Sequence, residues 1–351
     1  GCYCPDHQAA FCRSAGYSEQ GWLEIREAAR ARRLTPALRA YLDYTCDEFT
    51  ASWQSQQAAW TKGRLGPMVM VLGSEKAGIR LADYRKTLFR VGEGHFDDGS
   101  FGAVKGKTDE LFSSLFHRRF ADPELACSET TAYPHDRLSA RNLGAKLSVS
   151  TLSDVRRTMF MSGLTPFPQE HWGSLKAVMK KNREVHALVA GQAPKGPLKH
   201  YWGEASRYAG DDNPFSLFLA AGVPFEVCEA PASDGWTFLS DADAAAVKAG
   251  SLKSAGTAFV HRSKGSIEGA RPLQERLEDL WGFKREVVPG LKGTPFVVEE
   301  KPAVLAWYPE LRRVVLWNLS DAAETLTVQR DGSRRKVSCE GGGVESIDFT
   351  G

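Results

Sequence analysis

The feature that most restricts what this chain can become is a unit of short apolar run, polar loop and helical stretch that occurs four times in succession. "MVMVL" (68 to 72) runs into Gly73-Ser74-Glu75. "LFRVGEGHFDD" (88 to 98) precedes "KTDELFSSLFHRRF", "ELACSETTAYP" (124 to 134) precedes "LSARNLGAKLS", and "TMFMSGLTPF" (158 to 167) precedes "WGSLKAVMKKNREVHALVA". Continuous apolar runs of this kind suit strands buried on both faces, and strand-helix alternation predicts a parallel sheet. The polar residues that follow such strands gather on one rim, where α/β folds place their chemistry. That rim is predicted to hold Ser74, Glu75, Glu93, His95, Asp97, Asp98, Ser128, Glu129, Tyr133 and Trp172.

Before the first unit, apolar positions between Trp22 and Trp60 keep helical spacing, and Thr35-Pro36 reads as an N-cap followed by proline at the first helical position. Trp22, Trp53 and Trp60 are expected in the core. After about residue 200, "PFSLFLAAGVPFEVCEA" reads as helix, turn and strand, and "WTFLSDADAAAVKAG" with "GTAFV" as strand, helix and strand. From about Thr294, "PFVVEE", "AVLAWYP", "RRVVLWNLS" and "ETLTVQR" alternate with turns and predict an antiparallel β module. The expected boundaries are 1–200, 201–293 and 294–351.

Composition removes several classes of function. Lys plus Arg number 45 against 43 Asp plus Glu, with no basic block interleaved with aromatics, so nucleic acid is not an expected partner. No apolar run approaches the ~18 residues of a membrane span, and no basic-then-apolar leader opens the chain. Seven scattered cysteines, an odd number, favour a reducing compartment such as the cytoplasm. Cys46, Cys127 and Cys228 read as small core residues. No Gly-x-Gly-x-x-Gly follows a strand, and no cysteine stands on a strand-to-helix elbow, which argues against a nucleotide site and an amidotransferase.

Several residues invite a functional and a structural reading together. The "GEGHFDD" loop, with Glu93 and His95, suits sugar hydroxyls, or is a solvated turn in which Phe96 packs. Ser74 and Glu75 line a pocket, or Glu75 caps the helix that follows. Tyr133 and Trp172 offer apolar ring faces to a pyranose, or pack beneath rim loops. Cys2, Cys4 and His7 have spacing tight enough for zinc, which needs a fourth ligand in a structural site; Cys12 is one candidate. Otherwise they are free thiols at a frayed end.

The opening "CYCPDHQAAF" resembles the segment after the fourth barrel strand in glycoside hydrolase family 42, the β-galactosidase-like enzymes, where a Cys-x-Cys-x2-Cys cluster precedes alanine-phenylalanine and a helix. The order of the following segments, and "SETTAYP", are similar to that family or to a relative in the same clan. Two departures stand out: His7 replaces the third cysteine, and the catalytic acid expected upstream of the cluster is not in this sequence. The resemblance implies the C-terminal half of a (β/α)8 TIM barrel, then a small Rossmann-like α/β domain and the β module. It implies a retaining glycosidase acting on carbohydrate, without a catalytic cofactor, with a structural zinc on Cys2, Cys4 and His7, and assembled as a trimer.

Retaining hydrolysis uses two carboxyl groups about 5–5.5 Å apart, one as acid and one as nucleophile. The resemblance places the nucleophile after the seventh strand, here Glu129, with Glu93, His95, Ser74, Tyr133 and Trp172 around the substrate. Glu93 is a rival for the absent acid. The alternative is a non-catalytic carbohydrate-binding or assembly protein on the same scaffold.

Overall fold

The structure, a computed structural model, describes residues 2–70, 72–91 and 94–350. It opens with three helices, α1 (Pro5–Ala15), α2 (Glu19–Arg30) and α3 (Pro36–Ala59). Gly16, at φ 71°, ends α1 in the left-handed conformation that glycine adopts without a Cβ penalty. Thr35 Oγ1 accepts from Leu38 N at 3.2 Å and Pro36 follows it, so α3 starts where the sequence signal puts it. The three helices close on Phe11, Trp22 and Tyr41, with the Trp22 and Tyr41 rings edge to face at 4.8 Å. Trp60 departs from expectation: it lies beyond the last turn of α3 and is 51% exposed.

The four repeated units form one parallel sheet. Its strands are β1 (Phe89–Arg90), β2 (Ala126–Thr131) and β3 (Arg157–Met161), in that order, and residues 67–69 add a fourth segment at the β1 edge. There Val69 N donates to Arg90 O and Arg90 N to Pro67 O. The helices between strands are α4 (Asp98–Phe101), α5 (Val104–Arg118), α6 (Ala140–Leu152) and α7 (Gln169–Val189).

Side chains alternate across a strand, so register decides which face each joins. Arg90 stands beside Cys127, and Glu129 beside Met159, while Ser128 stands beside Thr158. The Ser128 and Thr158 hydroxyls meet Ser150 of α6 at 3.0 and 3.2 Å, so that face is covered by helices. The opposite face carries Met68, Arg90, Glu129, Arg157, Met159 and Met161. Its methionines are exposed, Met159 by 49%. Among the described residues the sheet has two free edges and does not close on itself.

A second parallel sheet is built from β4 (Leu198–Tyr201), β5 (Phe225–Cys228), β6 (Trp236–Leu239), β7 (Ala258–His261) and β8 (Ala270–Pro272), in the order β5-β4-β6-β7-β8. Helices α8 (Glu204–Tyr208), α9 (Asp241–Lys248) and α10 (Leu277–Val287) accompany it. Its strand β4 lies across residue 201, where the sequence suggested a new unit would begin. The helix expected in "PFSLFLAAGVPF" is a five-residue 3₁₀ turn, Ser216–Ala220, cut short by Gly222 at φ 66° and by Pro224.

The last part consists of β9 (Phe296–Val297), β10 (Ala303–Tyr308), β11 (Arg313–Asn318), β12 (Glu324–Arg330), β13 (Ser333–Cys339) and β14 (Val344–Asp348). They pair antiparallel in two three-stranded sheets, β10-β11-β14 and β13-β12-β9. One continuous apolar cluster runs from Val69 through Phe112, Phe218 and Trp317 to Val344, joining the two parallel sheets to the β module, while the three N-terminal helices keep a cluster of their own. No described helix is long and apolar enough to cross a membrane.

Candidate active site on the open face of the parallel sheet

Glu129 is the fourth of six residues in β2, on the face that no helix covers among the described residues. Its side chain is 12% exposed. Arg90 on the adjacent strand reaches it, with Nη1 2.6 Å from Oε2, and the Thr131 hydroxyl donates to Oε1 at 3.2 Å. This ion pair follows from register: Arg90 lies opposite Cys127, two residues before Glu129 on the same face. A guanidinium in contact holds the orientation of the carboxylate, as a nucleophile requires.

The loop after β1 rises on the same rim. Glu93 lies outside the described residues. Phe96 O accepts from Tyr133 N at 2.9 Å, which ties this loop to the one after β2. From beneath, Glu110 of α5 accepts from Gly94 N at 3.4 Å and His95 N at 3.2 Å. Lys146 of α6 forms an ion pair with Glu110, and each side chain is only 1% exposed. The Lys146 ammonium also lies over the rings of Phe96 (5.7 Å) and Phe101 (5.1 Å). Burial by itself would push the Glu110 carboxyl up; Lys146 and His95 outweigh it and hold the group below the usual carboxylate range. His95 Nδ1 stands 3.4 Å from Glu110 Oε2, an ion-pair contact when the ring is protonated.

The rest of the predicted rim divides into open and closed positions. Tyr133 is two-thirds exposed beside the loop. Asp97 caps α4 by accepting from Ser100 N at 2.9 Å, and Asp98 accepts from Ser139 and Asn142, so both serve as anchors. Ser74, expected at the substrate, is instead fully buried, and its hydroxyl donates to Glu75 Oε2 at 2.7 Å. Glu75 is itself buried and paired with Arg207 of α8, its carboxyl raised by burial. Trp172 does not join Glu129 either. It sits on α7 against Phe160 (5.5 Å) and Phe167 (6.0 Å), on the helix side of β3. A cavity of about 1160 Å³ is also on that side, between β3 and α7, and not at Glu129.

Cys2, Cys4 and His7 come together at the start of α1, their ligand atoms all within 4.8 Å of one another. Cys4 Sγ is 3.0 Å from His7 Nδ1. Hydrogen bonding from His7 lowers the Cys4 thiol to about 7, and the same contact raises His7. Cys12 packs in the helical cluster and is not part of the group. Sequence reasoning missed Arg90, Glu110 and Lys146. Arg90 left one trace, a charge inside the apolar run "LFRV".

No family model matches the sequence, and no curated protein matches it. Solved structures do. A β-galactosidase from the Antarctic haloarchaeon Halorubrum lacusprofundi aligns with a TM-score of 0.58 at 11% identity, covering 99% of this chain and 76% of that one. A rhamnosidase from Novosphingobium sp. PP1Y aligns at 0.49 with 12% identity, over 98% of this chain and 43% of its own. A β-galactosidase from the psychrophilic Marinomonas ef1 aligns at 0.47 with 7% identity, over 88% and 68%. The chain therefore has a mixed α/β, glycosidase-like fold with parallel sheets.

Proposed function

We propose that this chain is the C-terminal portion of a retaining glycoside hydrolase, β-galactosidase-like in its chemistry, with Glu129 as nucleophile. The observation that carries the reading is the Arg90–Glu129 pair. It puts an oriented carboxylate near the carboxyl end of a parallel strand, on the open face of a scaffold similar in fold to the haloarchaeal β-galactosidase. The two free sheet edges and the exposed methionine face support a further proposal. Residues 1–200 are the second half of a TIM barrel whose other strands come from polypeptide before residue 1. Residues 201–293 are then a Rossmann-like domain and 294–351 the β module.

In this reading Glu129 attacks the anomeric carbon, and a carboxylic acid on the completing strands protonates the leaving oxygen. His95 and Tyr133 contact sugar hydroxyls and ring C–H groups, and Glu93 is assigned beside them. Cys2, Cys4 and His7 fit three positions of a structural zinc, which would pin the loop before α1 and take no part in bond cleavage. The assembly is assigned as a trimer with carbohydrate as its substrate class.

The test uses a chain extended upstream and an activated aryl β-glycoside. Glu129→Gln should lower turnover by ~10⁴-fold or more in an intact fold, since it removes the nucleophile. Azide should restore activity and yield a glycosyl azide. Residues 1–351 alone should hydrolyse little or nothing. Unchanged turnover in Glu129→Gln would remove the assignment.

A further inference from the structure

The Glu110–Lys146 pair beneath the rim has no part in the chemistry given to Glu129. Both side chains are 1% exposed. A buried ion pair seldom stabilises a fold more than apolar side chains of the same volume, because desolvation offsets the Coulombic gain. What the pair touches therefore says more than its energy, and its contacts converge on one short loop. Glu110 Oε2 accepts from Gly94 N and His95 N and stands 3.4 Å from His95 Nδ1, while Oε1 meets Lys146. The Lys146 ammonium lies over the Phe96 ring. Residues 94 to 96 are thus gripped from α5 and α6 at once. Beyond them Asp97 caps α4 and Asp98 accepts from Ser139 and Asn142, which pins the loop on its far side.

The same geometry decides which nitrogen of His95 carries the proton. Nδ1 is shut off from solvent and faces the carboxylate. A lone pair there would stand against a negative charge, so the proton belongs on Nδ1. In the neutral ring the lone pair is then on Nε2, because one nitrogen donates and the other accepts. A quarter of the His95 side chain is exposed, and with Nδ1 shut in, Nε2 is the nitrogen left to the open rim.

We infer that Glu110 and Lys146 are positioning residues for His95: they fix its ring as the Nδ1–H tautomer and present Nε2, on the rim it shares with Glu129, as the acceptor for a substrate hydroxyl. Lys146 balances the charge of Glu110 within the protein and keeps Oε2 turned to the loop. Glu110 then orients the imidazole through Oε2, and the imidazole reads an O–H donor. A site of this kind rejects a substrate that lacks the hydroxyl, since the acceptor is left unmet. The kinetic consequence rests on the reading of Glu129 as nucleophile, but the tautomer does not.

The test reads residues 1–351 labelled with ¹⁵N-histidine by NMR at about pH 8, above the ordinary histidine range, with His95 assigned by the signals lost in His95→Ala. His95 should show a protonated Nδ1 and a bare Nε2. Glu110→Gln with Lys146→Met keeps an oxygen toward the loop and should retain that tautomer. Glu110→Leu with Lys146→Met, apolar and of similar volume, should release the ring to the Nε2–H form that an unconstrained histidine prefers. In the chain extended upstream, assayed on an activated aryl β-glycoside, the apolar double variant and His95→Ala should each lower kcat/KM by about tenfold or more, and combining them should cost no more than either alone. The amide double variant should stay within about threefold of the parent. An Nε2–H tautomer in the parent, Nδ1–H kept in the apolar double variant, or additive kinetic losses would overturn the proposal. A chain that shows the expected tautomers and never turns over would remove the reading of Glu129 and leave the positioning of His95 standing.

Discussion

Replacing Lys146 by Met is the most exacting probe of how the candidate site is held. Both members of the Glu110–Lys146 pair are 1% exposed, so neither charge has water to fall back on. Removing one partner of such a pair costs about 3–5 kcal/mol, because the remaining charge is buried alone. Glu110 keeps its contacts from Gly94 N and His95 N, which draws the expected loss toward about 3 kcal/mol, a factor on the order of 10² in the folded population. Its pH dependence carries a definite sign. In the native protein the Glu110 carboxyl lies below its ordinary value, so the pair stabilises above the unfolded value of about 4.3 and that stability is lost as pH falls through the folded value. Without Lys146, burial dominates and the carboxyl moves up, so acidification protonates it and the deficit of the variant narrows. Urea unfolding at pH 7 and near pH 4.5 measures both effects. Glu110→Gln together with Lys146→Met should recover most of the loss. A Lys146→Met deficit under about 1 kcal/mol at pH 7, a pH-independent deficit, or a double variant no better than the single would refute the reasoning.

Asp154→Asn tests a second hub, where the carboxylate accepts from Arg118, His186 and Gly191 N at 3.1, 2.8 and 3.1 Å. Asparagine tolerates the φ of 53° there, so the change isolates charge. Burial raises the Asp154 carboxyl, but His186 and Arg156 outweigh it and hold it low. The variant should lose about 2 kcal/mol at pH 7, and the loss should fade as pH drops below about 3.9; a constant deficit in acid melts would contradict this. Gly106→Ala should destabilise despite a helix-propensity gain of about 1 kcal/mol, because its Cβ would stand 2.0 Å from Ser100 O; a higher melting temperature would count against that close approach. Cobalt(II) added to the chain should give the visible bands of a tetrahedral thiolate site, absent in Cys4→Ser, and identical spectra from both would rule out the metal cluster.

Much of the fold was legible in local pattern. Thr35-Pro36 marked the start of α3, and the four apolar runs marked four parallel segments, because helix caps and buried strands are written in contiguous residues. The 3₁₀ turn at Ser216–Ala220 was not: the Gly-Val-Pro turn after it was readable, but apolar helical spacing does not tell a five-residue 3₁₀ turn from an α-helix. Polar partners were the least legible part. Glu75 is buried because Arg207 reaches it from α8, and Glu110 because Lys146 reaches it from the next helix. No spacing rule joins residues so far apart.

That difference sorts the predicted rim. Counting strands and loops places Ser74, Glu75, Asp97, Asp98, His95, Glu129 and Tyr133 at one end of the sheet, but it cannot say which side chains are already committed. Ser74 and Glu75 satisfy each other and Arg207, Asp97 caps a helix, and Asp98 holds the start of α6. A carboxylate committed to such an anchor is held where the loop or helix needs it and offers a substrate fewer of its acceptor sites. Glu129 differs because its partners are one arginine on the neighbouring strand and the Thr131 hydroxyl, on a face with no described helix over it. Together with His95 and Tyr133 it leaves a small open set, and the chemistry of this scaffold is to be sought on that set and not along the whole rim.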